Sequence, residues 1–536
     1  VAKFLLRTNN FMSLKNILPA LLIGCSVLVN ELTAMTLVEV QTAMAQSVTR
    51  AAQVSPNSVV AVVDREGYVL GVWSVNGAVP ANDLVANAIA KAGTAVFLSS
   101  DQHAFTSRTA GFIVQQNFPP GVQNRPPGPL VGVNFSNLPF SDINRFKNPS
   151  TFVVGVVSGT NGGTVPTPVT GGLAGTAGGV PLFSSGKLIG GIGVAGDGDG
   201  PTDITPQTVL AADVDEDVAL AGQTGFAPAT ELRGSNVFID GIRLPYVESS
   251  TSLGAVTPLG GVGAVVPGFP VVASPALVFP SASLGGTTGE LRQPIIADPS
   301  AVALPNGEAR LTAAEVTAIL TEGAAKARTT RAGIRLPRGS TMQCFITVVN
   351  NPNSPGQPPV VLGAYCTSPD ATRFSWDVAV QKARTALFFS SATRAYSTRA
   401  VGFMAQMHYP PGIEGTTAGI FLGLQERFSL FPQNVTNPLN GAVVTTDAGT
   451  VPGAPNGNLP NGITIFPGGI PLYRNGVLVG AIGVSGDGID QDDLVAAAAS
   501  AALNGIFLPP EDIRSDRTIH RGARLPFVKF PRNPAL

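Results

Sequence analysis

Only three histidines occur in this 536-residue chain, His103, His408 and His520. His408 alone sits among other soft donors, in Met404-Ala-Gln-Met-His-Tyr409 ahead of Pro410-Pro-Gly412. His and Tyr side chains are iron ligands, so His408 and Tyr409 are the candidate metal donors, and an ordinary hydrogen-bonded histidine is the alternative. A second set of polar residues occurs twice. Lys91 and Thr94 lie three apart and share a helix face, as do Lys382 and Thr385, and Arg108 and Arg399 follow one short segment later. These cations could hold an anionic ligand, or form structural salt bridges with Asp197 and Asp487. Asp197 to Asp203 and Asp213 to Asp217 offer oxygen atoms to Ca²⁺, but without the spacing of an EF-hand loop. Gly191-Ile-Gly-Val-Ala-Gly196 fits a dinucleotide fingerprint, yet its glycines fall within a strand and acids follow, which would repel a pyrophosphate. No Ser/His/Asp order, zinc spacing or phosphate loop recurs, so hydrolase and kinase readings fall away.

The polar residues recur because the chain is duplicated. Gly178-Gly-Val-Pro-Leu-Phe-Ser-Ser-Gly-Lys-Leu-Ile-Gly-Gly-Ile-Gly-Val-Ala-Gly-Asp-Gly198 returns from Gly468 to Gly488 with 13 identities in 21. Arg108-Thr-Ala-Gly-Phe112 answers Arg399-Ala-Val-Gly-Phe403, Pro119-Pro-Gly121 answers Pro410-Pro-Gly412, and Arg243-Leu-Pro245 answers Arg524-Leu-Pro526. Each copy opens on a capping box, Thr36-Leu-Val-Glu39 and Thr312-Ala-Ala-Glu315. A β-hairpin follows, then the Lys-Ala-x-Thr-Ala helix, a Pro/Gly-rich excursion (119–177 and 410–467), a strand pair and a last helix. That order predicts an α+β fold, an antiparallel sheet packed by helices, built twice. The domains expected are 32–247 and 311–530, joined by a linker over 248–310, with an N-terminal segment 1–31 and a tail 531–536. Cys344 and Cys366 end opposite strands of one predicted hairpin, so a cross-strand disulfide is expected between them.

The order of helix, Val-Val-Asp hairpin, Lys-Ala-x-Thr-Ala helix, Gly-Gly-x-Pro-Leu and Gly-x-x-x-Gly-x-Ile-Gly-Val-x-Gly resembles the GlcG/HbpS-like haem-binding (haem-degrading) family. The resemblance covers most of both copies. It implies haem as cofactor, with haem binding, haem degradation or redox sensing as the activity. The N-terminal helix, where some members place a haem histidine, has none in either copy. If haem is bound, His408 or Tyr409 would ligate iron at one site per chain, and Lys91, Thr94, Arg108, Lys382, Thr385 and Arg399 would line the anionic side. The competing expectation is a non-catalytic structural or small-ligand-binding protein that kept the fold and lost haem ligation.

Charged residues make up only 12% of the chain and the net charge is −1, so no electrostatic footprint for nucleic acid exists. With 44% hydrophobic residues, the chain can fill two cores. Lys3, Arg7 and Lys15 precede an apolar run from Ile17 to Val29, too short to span a bilayer and suited to a signal peptide. Within it, Leu22-Ile-Gly-Cys25 looks like a bacterial lipobox with Cys25 as the lipidation site. The expected location is the bacterial cell envelope. The partners expected are a small-molecule ligand, the membrane through the lipid, and further copies of the chain.

Overall fold

The computed structural model describes residues 34–114, 117–122, 125–126, 128–130, 174–196, 210–276, 278–406, 408–413, 415–421, 434–436, 443–445, 459 and 463–529. Segment 1–31 with Cys25, the tail and most of both excursions lie outside these residues. No helix among the described residues is long and apolar enough to cross a membrane.

The first copy runs α1 (Leu37–Val54), β1 (Val59–Asp64), β2 (Val69–Ser74), α2 (Asn82–Leu98), α3 (Ser107–Ile113), β3 (Gly179–Ser184), β4 (Lys187–Ala195) and α4 (Val214–Gly222). A small ribbon follows, β5 (Phe238–Ile239) with β6 (Ile242–Arg243). Thr36 caps α1 by accepting from the Glu39 amide while the Glu39 carboxylate accepts from the Thr36 amide, the capping box that the spacing predicts. β1 pairs antiparallel with both β2 and β4, and β4 with β3. The strand order is therefore 3-4-1-2. Helix α2 covers one face of this sheet and the α1/α4 pair the other. With both faces covered, β1 reads Val-Val-Ala-Val-Val-Asp and is buried at every position, rather than alternating.

The segment 248–310, read from its composition as a linker, contributes strands to both sheets. β7 (Ala264–Val265) joins the edge of β2. The hairpin of β8 (Ser281–Leu284) and β9 (Thr287–Gln293) extends the second sheet. Few charges and many prolines are as compatible with an edge strand as with a spacer, because an edge needs only one side of its backbone paired.

The second copy runs α5 (Ala313–Ala327), β10 (Cys344–Asn350), β11 (Val361–Cys366), α6 (Ser375–Phe388), α7 (Thr398–Phe403), β12 (Asn434–Thr436), β13 (Val443–Thr445), β14 (Gly469–Arg474), β15 (Val477–Gly486), α8 (Ile489–Ser500) and α9 (Ala502–Gly505). The ribbon of β16 (Ile519–His520) and β17 (Ala523–Arg524) closes it. Its sheet order, β14-β15-β10-β11, repeats the first. The duplication read from the sequence is thus a duplication of fold.

The repeated glycines let a helix lie directly on the strands. A Cβ on Gly193 would stand 2.1 Å from the Ala88 carbonyl oxygen of α2, and one on Gly483 would stand 1.9 Å from that of Ala379 in α6. These distances lie below any real contact, so the Gly-x-Ile-Gly-Val signature is a packing requirement of strand on helix. It is not a phosphate loop.

Candidate functional site

Lys91 projects from α2 and Lys382 from α6, each fully buried, and each meets an acid from the first turn of the last helix. Lys91 Nζ lies 3.0 Å from Asp215, and Lys382 Nζ 2.7 Å from Asp492. Room for each pair comes from a glycine with positive φ, Gly178 (φ +108°) and Gly468 (φ +115°). A Cβ at either would come within 3.2 Å of the lysine nitrogen and 2.8 Å of the aspartate Cβ. Burial pushes the Asp492 carboxyl up to about 7 and drives Lys382 below its usual value. Asp215 is raised for the same reason.

The arginines follow suit. Arg108 Nε lies 2.7 Å from Glu216, and Arg399 Nε lies 2.6 Å from Asp493 with Nη2 2.6 Å from Asp490. Thr94 and Thr385 accept the amides of Ala174 and Thr464 and so pin the chain entering the strand pair. Of the six residues expected to line an anionic ligand, the four cations are engaged with carboxylates of their own. Their partners are not the pair the sequence suggested. Asp487 is held by Arg335 at 2.8 Å, and Asp197 lies outside the described residues. The acid pair that serves, Asp215-Glu216 and Asp492-Asp493, escaped the repeat comparison because the copies differ in length between the Gly-Asp-Gly motif and the last helix.

The same pairing engages the second of the two acidic runs expected to offer oxygen atoms to calcium; the first, Asp197 to Asp203, lies outside the described residues. Asp213 caps α4, Asp215 and Glu216 hold Lys91 and Arg108, and Asp217 takes Arg50 at 2.6 Å. Among the described residues no group of three or more His, Cys, Asp or Glu side chains is placed to hold a metal ion.

His408 and Tyr409 lie elsewhere, on the loop after α7. Both copies shape this loop alike, with cis Phe118–Pro119 and Tyr409–Pro410 bonds, the Phe118 amide bonded to the Pro126 carbonyl and the Tyr409 amide to that of Thr417. An aromatic pair stands behind each, Phe112 on Phe118 and Phe403 on Tyr409, both with centroids 5.6 Å apart. Tyr409 is buried and donates its hydroxyl to the His520 carbonyl at 2.9 Å, and burial raises its pKa. A phenol so held keeps its proton directed at the carbonyl oxygen and is a poorer source of phenolate than a free one. His408 is half-buried, and its Nδ1 lies 3.1 Å from the Thr416 carbonyl oxygen, so Nδ1 donates there and Nε2 is the nitrogen left to coordinate. On the same loop Ile413 and Ile420 are more than half exposed, and Arg521 reaches it through the Ala418 carbonyl.

His103 and His520 have other duties. His103 Nδ1 lies 3.0 Å from the Ile334 carbonyl of the other copy, and burial lowers its pKa. It belongs to the interface between the copies, where Arg65 bridges Asp101 at 2.8 Å and Asp370 at 2.5 Å and Arg292 holds Glu66 at 2.8 Å.

The expected disulfide is absent. Cys344 and Cys366 are both free and buried. In the β10–β11 register Cys366 faces Phe345, so Cys344 is one residue out of step. Successive side chains of a strand point to opposite faces, and the thiols accordingly fall into different cores, Cys344 beneath α5 and α8 and Cys366 beneath α6.

A tandem α+β protein with two antiparallel sheets, each between helices, is what these elements define. A family model described as haem degrading protein HbpS-like matches residues 35–205 and 360–501, more than half of the chain. The chain belongs to the HbpS-like family. Among solved structures, it is similar to the PduOC:heme complex (20% identity, 37% of this chain and 96% of that one, TM-score 0.23). It is also similar to Klebsiella pneumoniae protein ORFY (18%, 36% and 90%, TM-score 0.21). A double mutant of Streptomyces reticuli HbpS matches as well (22%, 36% and 88%, TM-score 0.18). No protein of curated function matches the sequence.

Proposed function

We propose that the protein binds haem at one site per chain, with His408 Nε2 as the axial donor. Membership of a haem-degrading family supplies the ligand class, and the carbonyl-anchored Nδ1 of His408 is the observation that carries the site. A ligating histidine typically donates its second ring nitrogen to a carbonyl or carboxylate, which fixes tautomer and ring direction. The donor set fits the group: an imidazole anchored through Nδ1, exposed Ile413 and Ile420 for an apolar macrocycle face, and the Arg521 guanidinium for a propionate. Haem supplies one-electron and oxygen chemistry when bound. The chain's own part is to orient the imidazole and cover one face. The first copy has Asn117 at this position, hence one site.

Titrating the purified protein with haemin should give a Soret band that saturates at one equivalent, lost or shifted in His408→Ala and unchanged in Asn117→Ala. No band on titration, or a band indifferent to His408→Ala, overturns the reading. Adding reductant and oxygen with catalase present separates the two uses of a bound haem. A stable band marks a carrier or sensor, and progressive bleaching marks degradation. A second reading, a structural or small-ligand-binding protein without haem, draws on the carboxylate partners that occupy all four duplicated cations. Export with a lipid on Cys25 is also part of the proposal, resting on the N-terminal apolar run, and labelling cells with a fatty-acid analogue tests it.

A further inference from the structure

The second copy's Lys382–Asp492 pair does not close its own surroundings. It forms part of the floor of a cavity of about 40 Å³, completed by Arg335 and Asp487, and the first copy supplies part of the roof, Phe97, Leu98 and Leu130. The site therefore exists only where the two copies meet.

Two polar atoms on this floor lack partners among the described residues. Asp492 gives Oδ2 to Lys382, while its Oδ1 is buried with no donor. Arg335 gives Nη1 to Asp487 and Nη2 to the Ser99 carbonyl, while its Nε is buried with no acceptor. Asp492 is 2% exposed and Arg335 3%, so water outside cannot serve them. A buried polar atom without a partner is destabilising by an amount comparable to a hydrogen bond. One free acceptor and one free donor call for an occupant that donates and accepts together.

Charge and size narrow its class. Above pH 7, where Asp492 is ionised, Lys382 and Arg335 balance Asp487 and Asp492, so the floor carries no net charge that would favour an ion, and the binding test below is run there. A water needs about 10–15 Å³ of such space, so the cavity takes roughly three or four non-hydrogen atoms. The roof and wall are apolar. We propose that this cavity binds a small neutral molecule bearing a primary amide or a hydroxyl, its polar end between Asp492 and Arg335 and its short carbon end against Phe97 and Leu130.

The test uses the full chain with acetamide as probe and acetate as its anionic isostere, read by saturation transfer to the methyl resonance. Acetamide should receive transfer and acetate should not. Val378→Phe, which fills the cavity from its wall, should weaken acetamide binding at least tenfold with the circular dichroism unchanged. Ile489→Phe at the half-buried rim does the same should Val378→Phe not fold. His408→Ala should leave acetamide binding intact, so this result stands or falls apart from the haem titration. Equal transfer to acetate, or acetamide binding indifferent to both filling variants, overturns the assignment. No transfer to acetamide in the folded wild type means the cavity holds ordered water only and also overturns it.

Discussion

Replacing Lys382 by Met removes the ammonium from a buried pair while keeping an unbranched chain of similar length. Asp492, 2% exposed, then has no cation. In the wild type its carboxyl ionises at about 7, pushed up by burial. In the unfolded chain it ionises near about 3.9. A folded pKa raised in this way contributes stability that is complete below about pH 4 and lost as pH rises towards 7. Above 7 the wild-type group is ionised in both states and its contribution is flat. Without Lys382 the ionised form has nothing to favour it, so Asp492 keeps its proton above pH 7. The loss continues at about 1.4 kcal/mol per pH unit. Between pH 7 and 8.5 the variant should fall behind the wild type by about 2 kcal/mol. For a domain of this size that is roughly 4–8 °C in melting temperature. Thermal melts of both proteins at pH 6.0 and 8.5, followed by circular dichroism, measure the gap. The double variant Lys382→Met with Asp492→Leu should abolish the additional dependence, because the titrating group is gone. A gap between Lys382→Met and wild type that is equal at the two pH values, or smaller at 8.5, would refute the argument.

Gly483→Ala should destabilise the second copy by about 3 kcal/mol or more, since strand and helix must separate to admit the methyl group. The melting temperature reads this directly, and a loss under 1 kcal/mol would show that α6 can move aside. Cys344 and Cys366 should both resist a thiol reagent in the native protein, because burial raises both thiols. Both should react on unfolding without reductant, and recovery of fewer than two reactive thiols from them would restore the disulfide expectation.

What the sequence made legible was whatever repeats. Two capping boxes, two hairpins and two Gly-rich strand pairs named the elements and their order, and the sheets follow it. The linker and the disulfide escaped for one reason: composition and proximity along the chain do not specify register. A shift of one residue between β10 and β11 sends Cys344 and Cys366 to opposite faces. The acid partners of the lysines were missed because Asp215 and Asp492 are not equally spaced from the glycine motif. A signal for them did exist, in the two adjacent acids that open the last helix of each copy. An acid near a helix N-terminus is favoured by the helix dipole in any protein, so the signal did not stand out.

The interface between the copies is where duplication stops being symmetric. Arg65, Glu66 and Asp101 of the first copy meet Asp370 and Arg373 of the second and Arg292 of the β9 strand that extends its sheet, so one face of the fold meets a different face of its twin. A heterologous contact of this kind would propagate if each copy carried both faces. They do not. Continuing the strand register by one residue matches Arg65 with Asn351 and by four matches Asp370 with Ala78, and the repeat of Ser99-Ser100 as Ser390-Ser391 matches Asp101 with Ala392. The charged complement is thus written once, into opposite copies of one chain. It fixes which copy roofs which, and it makes the Lys382 cavity a feature of the pair, since Phe97, Leu98 and Leu130 of the first copy complete its lining. The singular His408 follows the same pattern. Duplication built two scaffolds, and the differences between them, at the interface and on the loop after α7, are where a ligand can tell one copy from the other.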